Sequence, residues 1–588
     1  MKSTPLGAQY RLAALGQMAQ EEFDVLVVGG GVVGAGAALD AVSRGLSVAL
    51  VEARDWAAGT SSRSSKLIHG GLRYLEQRDF GLVREALNER SVLLHRIAPH
   101  LVHPVPFLLP LYHHVWERAY IGAGVMLYDT MGGARALPRH RHLTKTAALR
   151  RAPGLRPDGM VGAIQYYDAQ VDDARYVMML ARTAAQYGAV VATRARVTGF
   201  LRSGDRDGRG GRVVGACVRD LESDREIRIR AKRVVCATGV WTDGVNDLAK
   251  VRGGVTVRAS KGVHLVVPRD RIDLETGLIS RTEKSVLFII PWGRHWIVGT
   301  TDTDWDLDRR HPAASAADID YLLEHANAVL SRPLRRDDIE GVYAGLRPLL
   351  SAGEARQTTK LSREHVVDSP LPGLVVVAGG KYTTYRVMAK DAVDAAAEGL
   401  GAYVPESVTD KVTLLGAEGF AALWNERHRL AARHGLSTAT VAHLLHRYGS
   451  CIDELFELID ADPELARPLA GADEYLRVEA VYAASHEGAL HLDDILARRT
   501  RISFEERDRG VAAAQEAAEL AAPVLGWDEL AVRTEVERYL SRVAAELEAN
   551  AQADDLTADS ARRAATDLPD LPDPPPTARP AAESAGTA

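Results

Sequence analysis

"FDVLVVGGGVVGAGAALDAVSRGLSVALVEA", residues 23–53, decides the fold. "FDVLVVGG" reads as a buried strand, "VVGAGAALDAVSRG" as a helix of small residues ended by Gly45, and "LSVALVEA" as a second buried strand. Strand, helix and strand make a βαβ unit whose crossover should be right-handed. The turn holds G-x-G-x-x-G as Gly29, Gly31 and Gly34. Gly29 allows the tight turn, and Gly31 lets a pyrophosphate approach the backbone. Gly34 lets helix and strand pack closely, while the helix N-terminus offers N–H groups and a positive dipole end to phosphates. Such a turn predicts an acidic residue at the end of the second strand to hold a ribose hydroxyl, and Glu52 stands there. The reading is dinucleotide binding. The motif alone does not separate NAD from FAD.

Outward from this unit, the 588 residues allow two to four domains. The chain is 46% hydrophobic and 26% charged, an ordinary globular balance. A net charge of −6 argues against a nucleic-acid protein. Cys217, Cys236 and Cys451 form no CxxC pair and no disulfide framework. No apolar run is long enough for a membrane span. The histidines between His100 and His142 lack a paired carboxylate pattern, so no metal site is expected.

Four segments are expected: an N-terminal extension (1–22), loosely held; interleaved cofactor and substrate domains (23–400); a helical C-terminal cap (405–550); and a disordered tail (551–588) rich in Pro, Ala and Asp.

Just past Glu52 comes "TSSRSSKLIHGGLRYLE" (60–76), which shows neither strand alternation nor a clean helical stripe. Thr60, Ser61 and Ser62 can cap a helix or donate hydroxyls to a diphosphate. Gly70 and Gly71 would let a flat ring lie against the backbone, and Arg73 and Tyr74 follow at the entrance to a long helix.

This stretch resembles the FAD-dependent, respiratory glycerol-3-phosphate dehydrogenases. The likeness continues in order through "EALNERSVLLHRIAPHLV", "VDDARYV", "ATGVWTD", "SKGVHLVVP", "IPWGRHWIVGTTDTD", "YAGLRPLL", "GGKYTTYR" and "DDILARRTR". The resemblance implies an α/β flavoprotein: a Rossmann-type FAD-binding domain, a D-amino-acid-oxidase-like mixed-sheet substrate domain, and an all-α C-terminal domain. It implies FAD as cofactor and oxidation of sn-glycerol 3-phosphate to dihydroxyacetone phosphate by hydride transfer to FAD. Electrons would pass to a membrane quinone from the cytoplasmic face, where the protein would be peripheral; a homodimer is compatible with this. The alternative on the same scaffold is an oxidase that passes electrons to oxygen and makes hydrogen peroxide.

Carried onto this chain, Arg73, Tyr74, Arg347, Lys381 and Thr384 would bind substrate. Arginine suits a phosphate monoester because its fork is planar and always charged. His264, Arg347 and Lys381 are the catalytic candidates, with His264 as general base because a near-neutral pKa suits proton abstraction. Arg347 and Lys381 stay open as alternatives for that step, and the neighbours of His69 suggest flavin packing. Thr60, Ser61, Ser65, Gly70, Gly71, Gly239 and Gly380 join Gly29, Gly31, Gly34 and Glu52 as expected cofactor contacts. The apolar–aromatic segment 105–128, with Phe107, Tyr112, Trp116, Tyr120 and Tyr128, reads as core packing or as an interfacial surface.

Overall fold

The computed structural model describes residues 3–71, 79–113, 116–132, 137–204, 211–251, 254–281, 286–351 and 365–565. Among these, β1 (Glu22–Val28), α2 (Val32–Ser43) and β2 (Val48–Val51) form the expected βαβ unit, preceded by α1 (Ala8–Gln20). Val25, Leu26 and Val27 of β1 are fully buried, as a strand covered on both faces requires. Parallel neighbours extend the sheet: Glu226–Cys236 and Leu374–Gly379 on one side, β2 and Val190–Ala192 on the other. The antiparallel edge strand His365–Leu371 ends the row.

α2 owes its small residues to its neighbours. A Cβ on Gly36 would lie 2.8 Å from Tyr385 Cδ2, on the helix Tyr385–Ala397 packed against it. A Cβ on Gly34 would lie 1.8 Å from the Gly29 carbonyl, so only glycine lets α2 sit this close to the end of β1.

A second sheet is mixed. The strand Val257–Pro268 pairs antiparallel with Gly341–Leu350 and with His295–Gly299, and the sheet continues through Val286–Trp292 and Gly277–Arg281 to Val102–Leu111 and Gly162–Val171. The α/β class with a second, mixed sheet is as expected. From Phe420 onward the chain is mostly helical, interrupted by the short hairpin Pro468–Leu476.

Both ends of the chain depart from expectation. The N-terminal segment is not loosely held. Met18, Ala14, Leu6 and Ser3 are buried, Ser3 donates from its N–H and hydroxyl to Glu454, and Leu6 N–H donates to the His486 carbonyl. The apolar positions of α1 recur at helical spacing but are diluted by Gly and Gln, which hid them. At the other end, Glu529–Ala551 is followed by a docked helix, Asp555–Arg562, with Ala558 fully buried. Order therefore extends past the expected boundary at 551. Residues 566–588 lie outside the described residues.

Candidate active site

A cavity of about 620 Å³ runs from the glycine turn to the mixed sheet. At its first end lie Gly29, Gly31, Val32, Glu52, Thr60 and Ser61. Gly29 has φ +112°, and a Cβ there would lie 2.6 Å from the Ala237 carbonyl. Gly31 caps α2, and its open side meets only Ser61 Oγ, at 3.2 Å from an added Cβ. Ser61 Oγ accepts from Val32 N–H at 3.0 Å, tying the serine segment to the helix N-terminus. Glu52 accepts from the N–H groups of Gly30 (2.6 Å) and Arg54 (2.7 Å). Removal from water raises its pKa, against the pull of those two donors. A narrow groove without side chains, a helix N-terminus and a held carboxylate fit the diphosphate and ribose of a dinucleotide.

At the other end, strand register does the positioning. Val257–Pro268 and Gly341–Leu350 place His264 opposite Tyr343, Gly262 opposite Gly345, and Ser260 opposite Arg347. Strand side chains alternate with period two, so these six residues share one face. The glycine pair leaves a gap between a histidine–tyrosine pair and an arginine. His264, Gly262, Gly345 and Arg347 all line the cavity.

Arg347 is aimed by its neighbours. Its guanidinium donates to Thr300 Oγ1 and the Thr301 carbonyl, each at 3.1 Å, and faces Asp302 at 3.4 Å. His264 is buried. Its Nε2 lies 2.8 Å from Ser65 Oγ, and its ring stacks on Tyr343 at 4.8 Å. Burial pushes its pKa well below 6.5, helped by the positive charges of Arg347 and Lys66. The ring is therefore neutral near pH 7.

Lys381 lines the same cavity, as do Ser65, Gly239 and Gly380. The two stretches that carry most of the resemblance touch: Thr383 Oγ1 accepts from His69 N–H at 3.1 Å. His69 also lines the cavity.

Four expected contacts stand away from the cavity lining. Gly34 serves helix–strand packing and does not line the cavity. Gly70 faces Leu87 and Tyr128, whose atoms would lie 2.4 and 2.7 Å from a Cβ, so its missing side chain is taken up by packing. Gly71, with φ +74°, does not line the cavity either. Thr384 is buried under its turn, and Thr383 takes the lining position. Arg73 and Tyr74 lie outside the described residues. Sequence reasoning missed Ser260, Gly262, Thr300, Asp302, Tyr343 and Gly345; a glycine inside each of two strands was the available signal.

The aromatic segment divides. Phe107 and Tyr128 are buried, while Tyr112, Trp116, Tyr120, Met126 and Leu127 are exposed on and beside the helix Trp116–Met131. Among the described residues no helix is long and apolar enough to cross a membrane, and no cluster could hold a metal ion.

Comparison with known proteins agrees with this geometry. Residues 24–394 match the family model described as FAD dependent oxidoreductase, and 407–532 match the C-terminal domain of alpha-glycerophosphate oxidase. The chain is 58% identical over 560 residues to glycerol-3-phosphate dehydrogenase 2 of Mycobacterium tuberculosis (strain ATCC 25618 / H37Rv), covering 95% of this chain and 94% of that one. It is 37% identical over 531 residues to the mitochondrial glycerol-3-phosphate dehydrogenase of Homo sapiens, covering 88% and 72%. The crystal structure of the Bacillus halodurans glycerol-3-phosphate dehydrogenase complexed with FAD superposes with a TM-score of 0.75 at 30% identity, covering 92% of this chain and 98% of that one. FAD is thus the cofactor for which the groove is built, and the chain belongs to the FAD-dependent glycerol-3-phosphate dehydrogenase family.

Proposed function

We propose that the protein oxidises sn-glycerol 3-phosphate to dihydroxyacetone phosphate and passes the electrons to a membrane quinone. One observation carries this reading: His264 and Arg347 share a sheet face, separated by a side-chain-free gap, in the cavity that also contains the dinucleotide groove. FAD, when bound, supplies the hydride acceptor. The chain's own residues do the rest.

Arg347 and Lys381 bind the phosphate, the arginine presenting a fork already oriented by Thr300, Thr301 and Asp302. Arg73 and Tyr74 complete the substrate contacts in this reading. His264 takes the hydroxyl proton, with Ser65 Oγ 2.8 Å from Nε2 in the same cavity lining. Substrate charge tunes this base. The depression of the His264 pKa owes part of its size to Arg347, and a phosphate dianion on that guanidinium offsets the effect. Binding the phosphate therefore makes the histidine more basic when a proton must be accepted.

The exposed apolar stripe of Trp116, Tyr120 and Leu127, with Tyr112 and Met126 beside it, supports peripheral contact with the cytoplasmic membrane face, from which a quinone is reached. An oxidase using oxygen is the rival.

An anaerobic absorbance spectrum tests the core of the proposal. The flavin should bleach on addition of glycerol 3-phosphate, and a protein that stays oxidised would overturn it. Oxygen uptake with and without quinone then identifies the acceptor. Uptake at the full turnover rate without quinone would favour the oxidase.

A further inference from the structure

Every lining residue of the cavity precedes Ala389, so among the described residues the C-terminal domain contributes none. Two motifs nevertheless connect that domain to the site: "VDDARYV" around Asp172 and Asp173, and "RRTR" ending at Arg501. They meet at a fully buried carboxylate. Asp173 Oδ1 accepts from Lys66 Nζ at 2.8 Å and from Arg501 Nη2 at 2.5 Å. Its Oδ2 accepts from the N–H of Ser64 at 2.9 Å and from the Ser64 hydroxyl at 2.7 Å. Its backbone carbonyl accepts from the Tyr382 hydroxyl at 2.7 Å.

Two of these partners, Ser64 and Tyr382, line the cavity and adjoin residues of the reacting region. Ser64 precedes Ser65, the partner of His264 Nε2, and the Ser64 carbonyl accepts from the Tyr343 hydroxyl at 3.0 Å. Tyr343 is the ring on which His264 stacks. Tyr382 follows Lys381. Asp173 thus fixes the hydrogen-bond partner of His264, its stacking partner and the turn that carries Lys381. Arg501 in turn fixes Asp173 and also donates from Nε to Asp172 Oδ1 at 3.0 Å.

Geometry of this kind is more than packing. Lys66 is fully buried, with Trp292, Tyr343 and Phe504 around its ammonium at 5.0–5.6 Å. A buried cation needs its carboxylate, and the carboxylate in turn needs its donors. The arrangement has few ways to relax without moving Ser64.

We infer that Asp173, held by Arg501 of the C-terminal domain, is a positioning residue for the oxidation: it aligns His264 and Lys381 without touching substrate or flavin. The inference rests on the proposed glycerol 3-phosphate reaction. A displacement of about 1 Å in such a framework costs up to about 10²-fold in rate.

The test uses the flavin-loaded enzyme with Asp173→Asn, Arg501→Gln and Arg501→Lys. Rates of anaerobic flavin reduction by glycerol 3-phosphate are measured per bound flavin, alongside KM and melting temperature. Asp173→Asn and Arg501→Gln should lower the reduction rate roughly 10- to 100-fold at saturating substrate. Arg501→Lys, which keeps the charge, should recover part of the loss. If Asp173→Asn yields no soluble flavoprotein, the two Arg501 variants carry the test. Variants that melt earlier yet reduce their flavin within about twofold of the parent rate would make the network structural only and overturn the inference. A parent enzyme that glycerol 3-phosphate does not reduce would overturn the substrate reading, and this inference with it.

Discussion

At its cofactor end the cavity is shaped by what the side chains lack; at its substrate end, by what they supply. Gly29 and Gly31 open a groove lined by backbone and one helix terminus, and Gly34 three residues on lets that helix pack close. His264, Arg347 and Lys381 come from segments more than thirty residues apart and are aligned by strand register and by Ser65, Asp302 and Asp173. A backbone groove tolerates no added atom but needs little support. A constellation of side chains tolerates some change at each position but depends on neighbours far away in the chain. Damage to the first should remove the cofactor, and damage to the second should spare it.

The largest effect expected follows from that contrast. Gly34→Val puts a branched side chain where a Cβ already falls 1.8 Å from the Gly29 carbonyl, and overpacking of this kind costs about 1–3 kcal/mol or more. Purified protein should carry almost no flavin. Gly31→Ala meets only Ser61 Oγ, so it should fold and hold its flavin less tightly. Flavin-to-protein stoichiometry checks both, and equal loss in the two variants would break the distinction between packing glycine and phosphate-facing glycine.

Arg347→Ala comes next. Loss of about two charge-assisted hydrogen bonds to phosphate, at about 1.5–3 kcal/mol each, should lower kcat/KM for glycerol 3-phosphate by about 10²–10⁴ while the flavin stays bound. Arg347→Lys should recover only part. Residual turnover of plain glycerol should change far less. A fall as steep with glycerol would move the arginine from phosphate binding to the reacting alcohol.

A third measurement asks whether the two ends stand or fall together. His100 and His103, where the substrate sheet meets the C-terminal domain, have pKa values pushed down to about 3, first by burial; His446, in edge contact with His103 at 4.2 Å, is also lowered. Unfolding lets these rings take up protons near their ordinary value. Stability should be complete above about pH 6.5 and fall as pH drops toward the folded values, by about 1.4 kcal/mol per pH unit for each ring. Flavin release and unfolding should coincide in an acid titration. His103→Phe should flatten the slope by one ring's share, and an unchanged slope would exclude it.

The smallest effect concerns the far end. Ending the chain at Ala551 removes Asp555, which pairs at 2.5 Å with Lys261 on the strand that carries His264; Asp318 remains as the other partner. The melting temperature should fall by about 1–3 °C with turnover per flavin nearly kept. Ending at Ala565 should change neither.

Which parts were legible in the sequence follows the same division. The βαβ unit and the helical C-terminal region could be read because their signals are local: glycines at fixed spacing, buried strands, helical periodicity; the second, mixed sheet was expected only from the family resemblance. Gly262 and Gly345 could not be paired by inspection, because their register depends on strands 80 residues apart. Thr384 was expected beside the substrate, but in the tight turn after Lys381 it is Thr383 that lines the cavity. Gly70 looked like a platform for a flat ring and is filled by Leu87 and Tyr128. The docked helix Asp555–Arg562 was hidden by a composition of Ala, Asp and Arg that reads as solvated chain, since its stability comes from tertiary partners such as Lys261.

The clasp formed by Ser3 and Leu6 has a consequence for biosynthesis. Ser3 binds Glu454 and Leu6 binds the backbone of His486, so these residues wait for partners made more than 400 residues later. At ~5–20 residues per second, Ser3 has no Glu454 to meet for roughly 20–90 s after it is made. During that interval the apolar side of α1 can settle only on the nascent cofactor domain. Final closure of the molecule is then a late event, set by emergence of the C-terminal domain.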